Sequence, residues 1–352
     1  MDNYYYQPPN LNQPPEYNQP ANDNVAAMRN MYFMEKARLE RKQIRKAGNA
    51  IGLAMTAYVL VQIIASSVFI FSEDLYNKYM ASPIFQASFN TIAIELCALV
   101  IPFGIMALIN KKKYESELIP TEKLPFGRIC LWVGFGMLCC IGADYIVGML
   151  VVIFDSFGYT LTQPETSPPN TLFSCIITLV STAIVPALCE EFSLRCCSLG
   201  LVKKFGKGFG VFCVSLVFGL LHGNVIQLVF ATLVGIILGY VTVKTNSIIP
   251  AVLIHAFNNG MAATGDIIIY AFGEGADEYS TYAMFAFWFI VGIVCAAILG
   301  IKGQLKKEVK SVNYEPYSNS ALKKVATFFF VPGMIIPFLF LVFETLMSVV
   351  SQ

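Results

Sequence analysis

Charged side chains are scarce in this sequence. Only 13% of its 352 residues are Asp, Glu, Lys or Arg, whereas 56% are hydrophobic. Soluble domains have about 25% charged residues, so this composition excludes an ordinary soluble core. The formal net charge is +1, because 24 basic side chains nearly balance 23 acidic ones. Since a nucleic-acid-binding domain needs a basic face, the sequence predicts no nucleic-acid partner.

Short metal and redox motifs are also missing. The ten cysteines include no C-x-x-C pair, and the zinc-protease motif H-E-x-x-H is absent. All ten lie in apolar stretches, so we interpret them as small hydrophobic side chains. The chain opens on a polar, proline-rich segment, which differs from the basic stub and apolar run of a secretory signal peptide. We therefore predict a cytoplasmic N-terminus and no cleaved leader.

Composition divides the chain into three regions. Residues 1–25 are rich in Pro, Asn, Gln and Tyr, which predicts a disordered polar tail. Residues 26–48 carry seven basic side chains against two acidic ones, which predicts a basic cytoplasmic juxtamembrane helix. Residues 49–350 form the predicted transmembrane domain.

Apolar runs of membrane-spanning length recur throughout residues 49–350. A helix needs about 20 residues to cross the hydrocarbon core, and the runs predict eight or nine such helices. They lie near residues 50–72, 88–110, 127–154, 171–202, 209–224, 225–243, 247–266, 281–301 and 325–349. The predicted fold class is therefore all-α, a polytopic transmembrane helical bundle of eight or nine helices.

Lysines fall in alternate connecting loops. With nine spans, the inner loops contain Lys111, Lys112, Lys113, Lys203, Lys204, Lys207, Lys244, Lys302, Lys306, Lys307 and Lys310. The outer loops, SEDLYNKYMASPIFQ, DSFGYTLTQPETSPPN and GEGADEYSTY, hold one lysine and several acids. Since cytoplasmic loops are enriched in Lys and Arg, this alternation predicts the N-terminus inside and the C-terminus outside.

Five ionisable side chains interrupt the apolar runs between residues 171 and 265. A charged group at mid-membrane costs roughly 2.5 to 3.5 kcal/mol, so each of the five is a functional candidate. They are Glu190, Glu191 and Arg195 in one run, His222 in the next, and His255, which precedes Asn258 and Asn259, in a third. The two histidines are the only ones in the chain.

Helical spacing places these groups at a common depth. Glu190 and His222 each lie thirteen residues from the basic turn between their helices, or about 20 Å at 1.5 Å per residue. His255 lies about 16 Å from the turn at Lys244 by the same rise. Glu191 and Arg195 are four residues apart and can pair, which leaves Glu190 as the reactive carboxylate. The sequence thus predicts a catalytic cavity at mid-membrane.

These residue types suit hydrolysis of an amide without a covalent nucleophile. A carboxylate withdrawn from water binds protons more readily, so it can take one from a water molecule near neutral pH. Histidine can orient that water, and a second histidine and an asparagine amide can donate to an oxyanion. A zinc ion held by Glu190, His222 and His255 also fits, since catalytic zinc commonly takes two His and one carboxylate. The sequence leaves a divalent-metal reaction and a metal-free reaction open.

As a set, these motifs resemble the three signature motifs of the CPBP family, the CAAX-type intramembrane proteases. The matching residues lie within 171–265 and are Glu190-Glu191-x-x-x-Arg195, Phe218-x-x-x-His222 and His255-x-x-x-Asn259. The resemblance implies that Glu190 activates water with help from His222. It also implies that His255 and Asn259 stabilise the oxyanion. Glu191, Arg195 and Phe218 are expected to support them.

The expected function is that of an intramembrane endopeptidase of the cell membrane. Its partners would be the lipid bilayer and a membrane-associated peptide or protein substrate. A non-proteolytic bacteriocin-immunity or peptide-binding protein of the same fold is the alternative, and a proton-coupled transporter explains Glu190 but not the His and Asn pair. Glu95, Asp144 and Glu344 lie in spans outside the motifs, where we expect interhelical hydrogen bonds or positions near the interface.

Overall fold

The structure, a computed structural model, describes residues 23–110, 120, 122–164, 166–305 and 319–351. Most of the predicted disordered tail, residues 1–22, lies outside this range. Six of the lysines that set the predicted topology also lie outside it: Lys111, Lys112, Lys113, Lys306, Lys307 and Lys310. The disorder of the tail and the positions of those lysines therefore stay predictions.

Helices dominate the described residues, which confirms the predicted all-α class. They are α1 (Asp23–Phe71), α2 (Glu73–Ala81), α3 (Pro83–Asn110), α4 (Phe126–Ser156), α5 (Leu172–Phe205), α6 (Lys207–Leu220), α7 (Val225–Thr245), α8 (Ile249–Phe272), α9 (Ala276–Ile301), α10 (Ala321–Phe329) and α11 (Pro332–Met347). The short strands β1 (Tyr159–Leu161) and β2 (Val349–Ser351) pair antiparallel, with Thr160 opposite Val350.

The predicted count of eight or nine spans is not confirmed. Within the described residues, six helices are long and apolar enough to cross a membrane: α1, α3, α4, α5, α7 and α9. The pair α10 and α11, bent by 84°, raises the number to seven if it counts as one broken span. Helix α6 has only 14 residues. Helix α8 has 24 residues, but His255, two asparagines and Asp266 interrupt its apolar sequence.

Helix α1 runs from the predicted juxtamembrane segment into the first span without a break. Its 49 residues extend about 74 Å, more than twice the thickness of a hydrocarbon core. The backbone therefore does not mark the boundary predicted between residues 48 and 49. The basic segment is tied to the other end of the chain, because Lys324 Nζ lies 2.6 Å from the Glu40 carboxylate and Arg41 donates to Asn319 at 2.8 Å.

Two groups of buried side chains form the core. The first joins α1, α3, α5, α6, α7, α10 and α11 and includes Phe103 and Phe218. The second joins α4, α7, α8 and α9 and includes Trp132, Leu238 and Ile254. Phe218 precedes His222 by one turn and Ile254 directly precedes His255, so each group includes a sequence neighbour of one motif histidine.

Candidate active site

The first motif lies where the backbone of α5 changes its winding. The helix is α-helical from Val185 to Glu190 and π-helical from Glu191 to Leu199. Pro186, which has no backbone N–H to donate, follows an earlier π-helical stretch that ends at Ile184. Because π-helical turns are uncommon and occur often at functional sites, the change of winding at Glu190 and Glu191 indicates that this segment is a candidate functional site.

Glu191 and Arg195 form an ion pair that is wholly enclosed by protein. Arg195 Nη1 lies 2.9 Å from Glu191 Oε1, and the two side chains are 1% and 0% exposed. The guanidinium also lies over the Phe218 ring, 4.7 Å from its centroid, and Nη2 donates to the Gly235 carbonyl at 3.4 Å. A buried charge is tolerated only when it is paired and hydrogen-bonded, and Arg195 meets this requirement through α5, α6 and α7.

His255 connects the two glutamates of the first motif. Its Nδ1 lies 3.0 Å from Glu191 Oε1, and its Nε2 lies 3.5 Å from Glu190 Oε2. An ionised carboxylate only accepts hydrogen bonds, so Glu191 holds the proton on Nδ1 and fixes the orientation of the ring. Nε2 is thereby directed toward Glu190. The residue beside Glu190 is thus His255, whereas the family resemblance pointed to His222.

His222 lies in the turn that follows α6. Its Nδ1 is 2.8 Å from the Phe218 carbonyl oxygen, which only accepts, so Nδ1 carries the proton and Nε2 is the acceptor of the neutral ring. The Phe218 ring packs edge-on against both histidine rings, with centroids 5.0 Å from His222 and 5.9 Å from His255. Phe218 therefore packs against both histidines and helps to fix their positions.

Side chains from both ends of the chain hold the His222 turn. Gly223 takes a positive φ of 68°, which glycine adopts without strain. Tyr58 Oη of α1 donates to the Leu221 carbonyl at 2.9 Å. Ser348 Oγ, after α11, accepts from Val225 N at 3.0 Å. Tyr58 and Ser348 are not predicted from the sequence, because nothing in their local sequence relates them to the motifs.

We expect the Tyr58→Phe variant to be less stable than the parent protein. The change removes the hydroxyl that donates to the Leu221 carbonyl in a buried setting, and such a loss costs about 1 to 2 kcal/mol. Thermal unfolding of the purified protein in detergent measures it. Tyr79→Phe is the matched control, since the Tyr79 hydroxyl donates to Asn90 at 3.0 Å at an exposed position. Equal losses in the two variants would contradict the role of Tyr58 in the turn.

Asn259 lies one turn beyond His255 on α8. Its Nδ2 donates to the Thr182 carbonyl of α5 at 3.2 Å, and Asn258 Nδ2 donates to Asn259 Oδ1 at 3.3 Å. One amide hydrogen of Asn259 is thus engaged with α5. The second amide hydrogen of Asn259 is available to donate to another acceptor.

A cavity of about 600 Å³ adjoins these residues. Its wall includes Phe218, His222, His255, Asn258 and Asn259. Glu190 is not part of this wall, although its carboxylate contacts His255. The structure therefore brings both histidines and the asparagines to one cavity and places Glu190 next to His255, outside the lining.

The zinc site considered for Glu190, His222 and His255 is not formed by these residues. Within the part of the chain that the structure describes, no three His, Cys, Asp or Glu side chains are arranged to hold a metal ion. Both ring nitrogens of His255 face glutamates of the first motif. These residues have the right donor types for zinc, but their arrangement does not bring the donors to one ion, so no catalytic step is assigned to a metal.

Glu95 and Asp144, which the motifs leave out, lie near this site. Glu95 of α3 is within electrostatic range of Glu190, and its Oε2 has no hydrogen-bond partner among the described residues. This oxygen therefore does not form the interhelical hydrogen bond that was one of the two expectations for Glu95, and the other, a position near the interface, stays a prediction. Asp144 lines the cavity. For both Glu95 and Asp144, the sequence signal for a functional role was an ionisable residue within an apolar run.

The comparison with known families identifies the segment that carries the motifs. Residues 172–261 match the family described as type II CAAX prenyl endopeptidase Rce1-like. The chain carries an Rce1-like core. This core extends from the start of α5 into α8, and it includes all three motifs, from Glu190 to Asn259. The matched range lies within residues 171–265, where the motifs occur, and it supports the predicted CAAX-type family. No curated protein and no solved structure matches the chain significantly.

Proposed function

We propose that this protein is an intramembrane endopeptidase that hydrolyses a peptide bond in a membrane-associated protein or peptide. The observation that carries the proposal is the position of His255. It bridges Glu190 and Glu191 and also faces a cavity large enough for a peptide segment. The Rce1-like core and the multi-pass helical bundle support the same conclusion.

In this mechanism, His255 and Glu190 act together on water. A water molecule on the cavity wall first gives a proton to His255 Nε2. His255 Nε2 then passes this proton to the Glu190 carboxylate, whose Oε2 lies 3.5 Å away. Glu191 stabilises the transient imidazolium through Nδ1. The resulting hydroxide attacks the carbonyl carbon of the substrate. The proton then returns to the leaving amine as the C–N bond breaks.

The remaining motif residues act on the substrate carbonyl and the water. Asn259 has one amide hydrogen left to donate to the oxyanion after its contact with Thr182. His222 Nε2 is the acceptor that orients the attacking water, because the Phe218 carbonyl engages Nδ1. Phe218 packs against both histidine rings and keeps this geometry.

Hydrolysis of a panel of membrane-associated peptides by the protein in lipid nanodiscs tests the proposal. We expect the His255→Gln variant to lose at least 100-fold in kcat/KM, since removal of a positioned proton carrier costs about 10² to 10⁴ in rate. Products are identified by mass spectrometry and folding is checked by thermal unfolding. Unchanged hydrolysis in this variant would refute the mechanism.

Binding without hydrolysis is the second candidate function. The exclusion of Glu190 from the cavity wall favours it, because a binding protein needs the cavity but no base in contact with the ligand. The same panel separates the two functions. A peptide that binds the parent protein and is recovered intact after prolonged incubation would identify a peptide-binding or immunity protein.

A further inference from the structure

One end of the helical bundle is rich in lysine and arginine. Pro120 and Glu122, which precede α4, exchange backbone hydrogen bonds with residues 246–248, which precede α8. The turn at 203–206 contacts α10, because Lys324 Nζ donates to the Phe205 carbonyl at 2.7 Å. We call this the basic end. It includes Arg41, Lys203, Lys204, Lys244, Lys323 and Lys324.

The opposite end is rich in acids. The segment after α4 forms hydrogen bonds with two other elements at this end. Ser167 N donates to Gln86 of α3 at 2.8 Å, and Thr162 N donates to the Ser348 carbonyl after α11 at 2.9 Å. Helices α4 and α8 start at the basic end, so the residues after them lie here. We call this the acidic end. It includes Glu73, Asp74, Asp155, Glu274, Asp277 and Glu278, with Lys78 as the base among them.

The cavity runs from the histidines to the acidic end. Its wall includes Gln163, after β1, and Asp277 and Thr281 at the start of α9. No residue of the described basic-end segments 203–206 and 246–248 lines it. A substrate that reaches His255 through this cavity therefore enters from the acidic end.

One face of α8 forms a track along the cavity. His255, Asn259, Ala262, Asp266 and Ile269 all line it, and they follow the spacing of a single helical face. His255 and Asp266 are eleven residues apart, or about 16 Å along the helix. An extended peptide advances about 3.3 Å per residue, so roughly five residues of substrate cover this distance.

The charged side chains that line the cavity away from the histidines are acidic. Asp144, Asp266 and Asp277 come from three different helices, and no Lys or Arg of the described chain lines the cavity. Asp266 lies within electrostatic range of Asp277. Like charges that face one cavity repel each other, and a cationic side chain of a bound peptide would relieve this repulsion.

We infer that the site takes an extended peptide that enters from the acidic, non-cytoplasmic end and carries a basic side chain about five residues from the bond to be cut. The inference deepens the proposed function and rests on it. It also rests on the predicted orientation, in which lysine-rich loops face the cytoplasm. Asp266 and Asp277 would be the residues that select the basic side chain.

The side of entry can be tested without any activity. Gln163→Cys lies at the proposed entrance, and Lys204→Cys lies in the turn of the basic end. The samples are intact cells or sealed spheroplasts, and the reagent is a membrane-impermeant maleimide. We expect it to label Gln163→Cys from outside and Lys204→Cys only after permeabilisation. Labelling of the parent protein, which has ten cysteines, is the background that is subtracted. The reverse pattern would overturn the side of entry.

Peptides that differ only in one Arg position test the substrate class. With Arg placed two, five or nine residues to either side of the cleaved bond, we expect at least fivefold higher kcat/KM at the five-residue spacing on one side. Asp277→Asn should reduce this preference about fivefold. Glu278→Gln, an exposed neighbour outside the cavity lining, is the matched control. A preference independent of Arg position, or equal in the two variants, would refute the inference.

Protection from labelling separates this inference from the proposed function. In the Glu190→Gln, Gln163→Cys double variant, the five-spaced Arg peptide is expected to slow maleimide labelling at least fivefold more than its Gln analogue. This readout needs binding and no hydrolysis. Protection without products in the parent protein would refute the peptidase while supporting the peptide site. Equal protection by both peptides would refute the basic specificity.

Discussion

Replacing Glu190 with Gln is expected to reduce peptide hydrolysis at least 1,000-fold, near the upper range of about 10² to 10⁴ for a general base. The amide has nearly the same shape as the carboxyl group but cannot receive the proton passed by His255 Nε2, 3.5 Å away. The loss should appear in kcat, with KM changed less than threefold, because Glu190 does not line the cavity. Steady-state kinetics in nanodiscs measure both constants.

Glu95→Gln is the comparison for this variant. Glu95 and Glu190 each have one buried carboxylate oxygen without a hydrogen-bond partner among the described residues, and the two side chains lie within electrostatic range of each other. Glu95 makes no described contact with a histidine, so its replacement should lower kcat less than tenfold. A loss equal to that of Glu190→Gln would mean that buried negative charge, and not proton transfer at Glu190, accounts for the effect.

The Arg195→Leu variant is expected to fold poorly. It leaves Glu191, which is 0% exposed, without its cation, and breaking a buried ion pair costs about 3 to 5 kcal/mol. The variant also loses the contact of the guanidinium with the Phe218 ring. We expect a much lower yield of monodisperse protein and a clear fall in the temperature of unfolding.

The double variant Glu191→Gln, Arg195→Leu distinguishes the ion pair from simple packing. It removes both charges, so it should recover part of the stability lost in Arg195→Leu. Hydrolysis should stay low, because a neutral amide side chain stabilises the His255 imidazolium less well than the Glu191 carboxylate does. A double variant as unstable as Arg195→Leu would show that the packing of Arg195 matters more than its charge.

The span count shows where sequence reasoning stopped. The eight or nine predicted spans include α6 and α8, which are not among the six helices of the described residues that are long and apolar enough to cross a membrane. A hydropathy window does not distinguish a helix that crosses lipid from one enclosed by other helices. Helix α6 has only 14 residues and ends in the His222 turn, and α8 presents polar groups to the cavity. Their environment is set by neighbouring helices distant in sequence.

The sequence alone predicted the all-α membrane fold, because scarce charge and apolar runs are local properties of the chain, and its three motifs pointed to the family through their resemblance to the CPBP signature motifs. The pairing of Glu191 with Arg195 follows from their i, i+4 spacing and is present in the structure. Only the tertiary structure decided that His255 lies beside Glu190, that Tyr58 and Ser348 hold the His222 turn, and that Gln163 and Asp277 line the same cavity as the two histidines. These contacts join helices far apart in the chain, and their geometry depends on how the whole bundle packs.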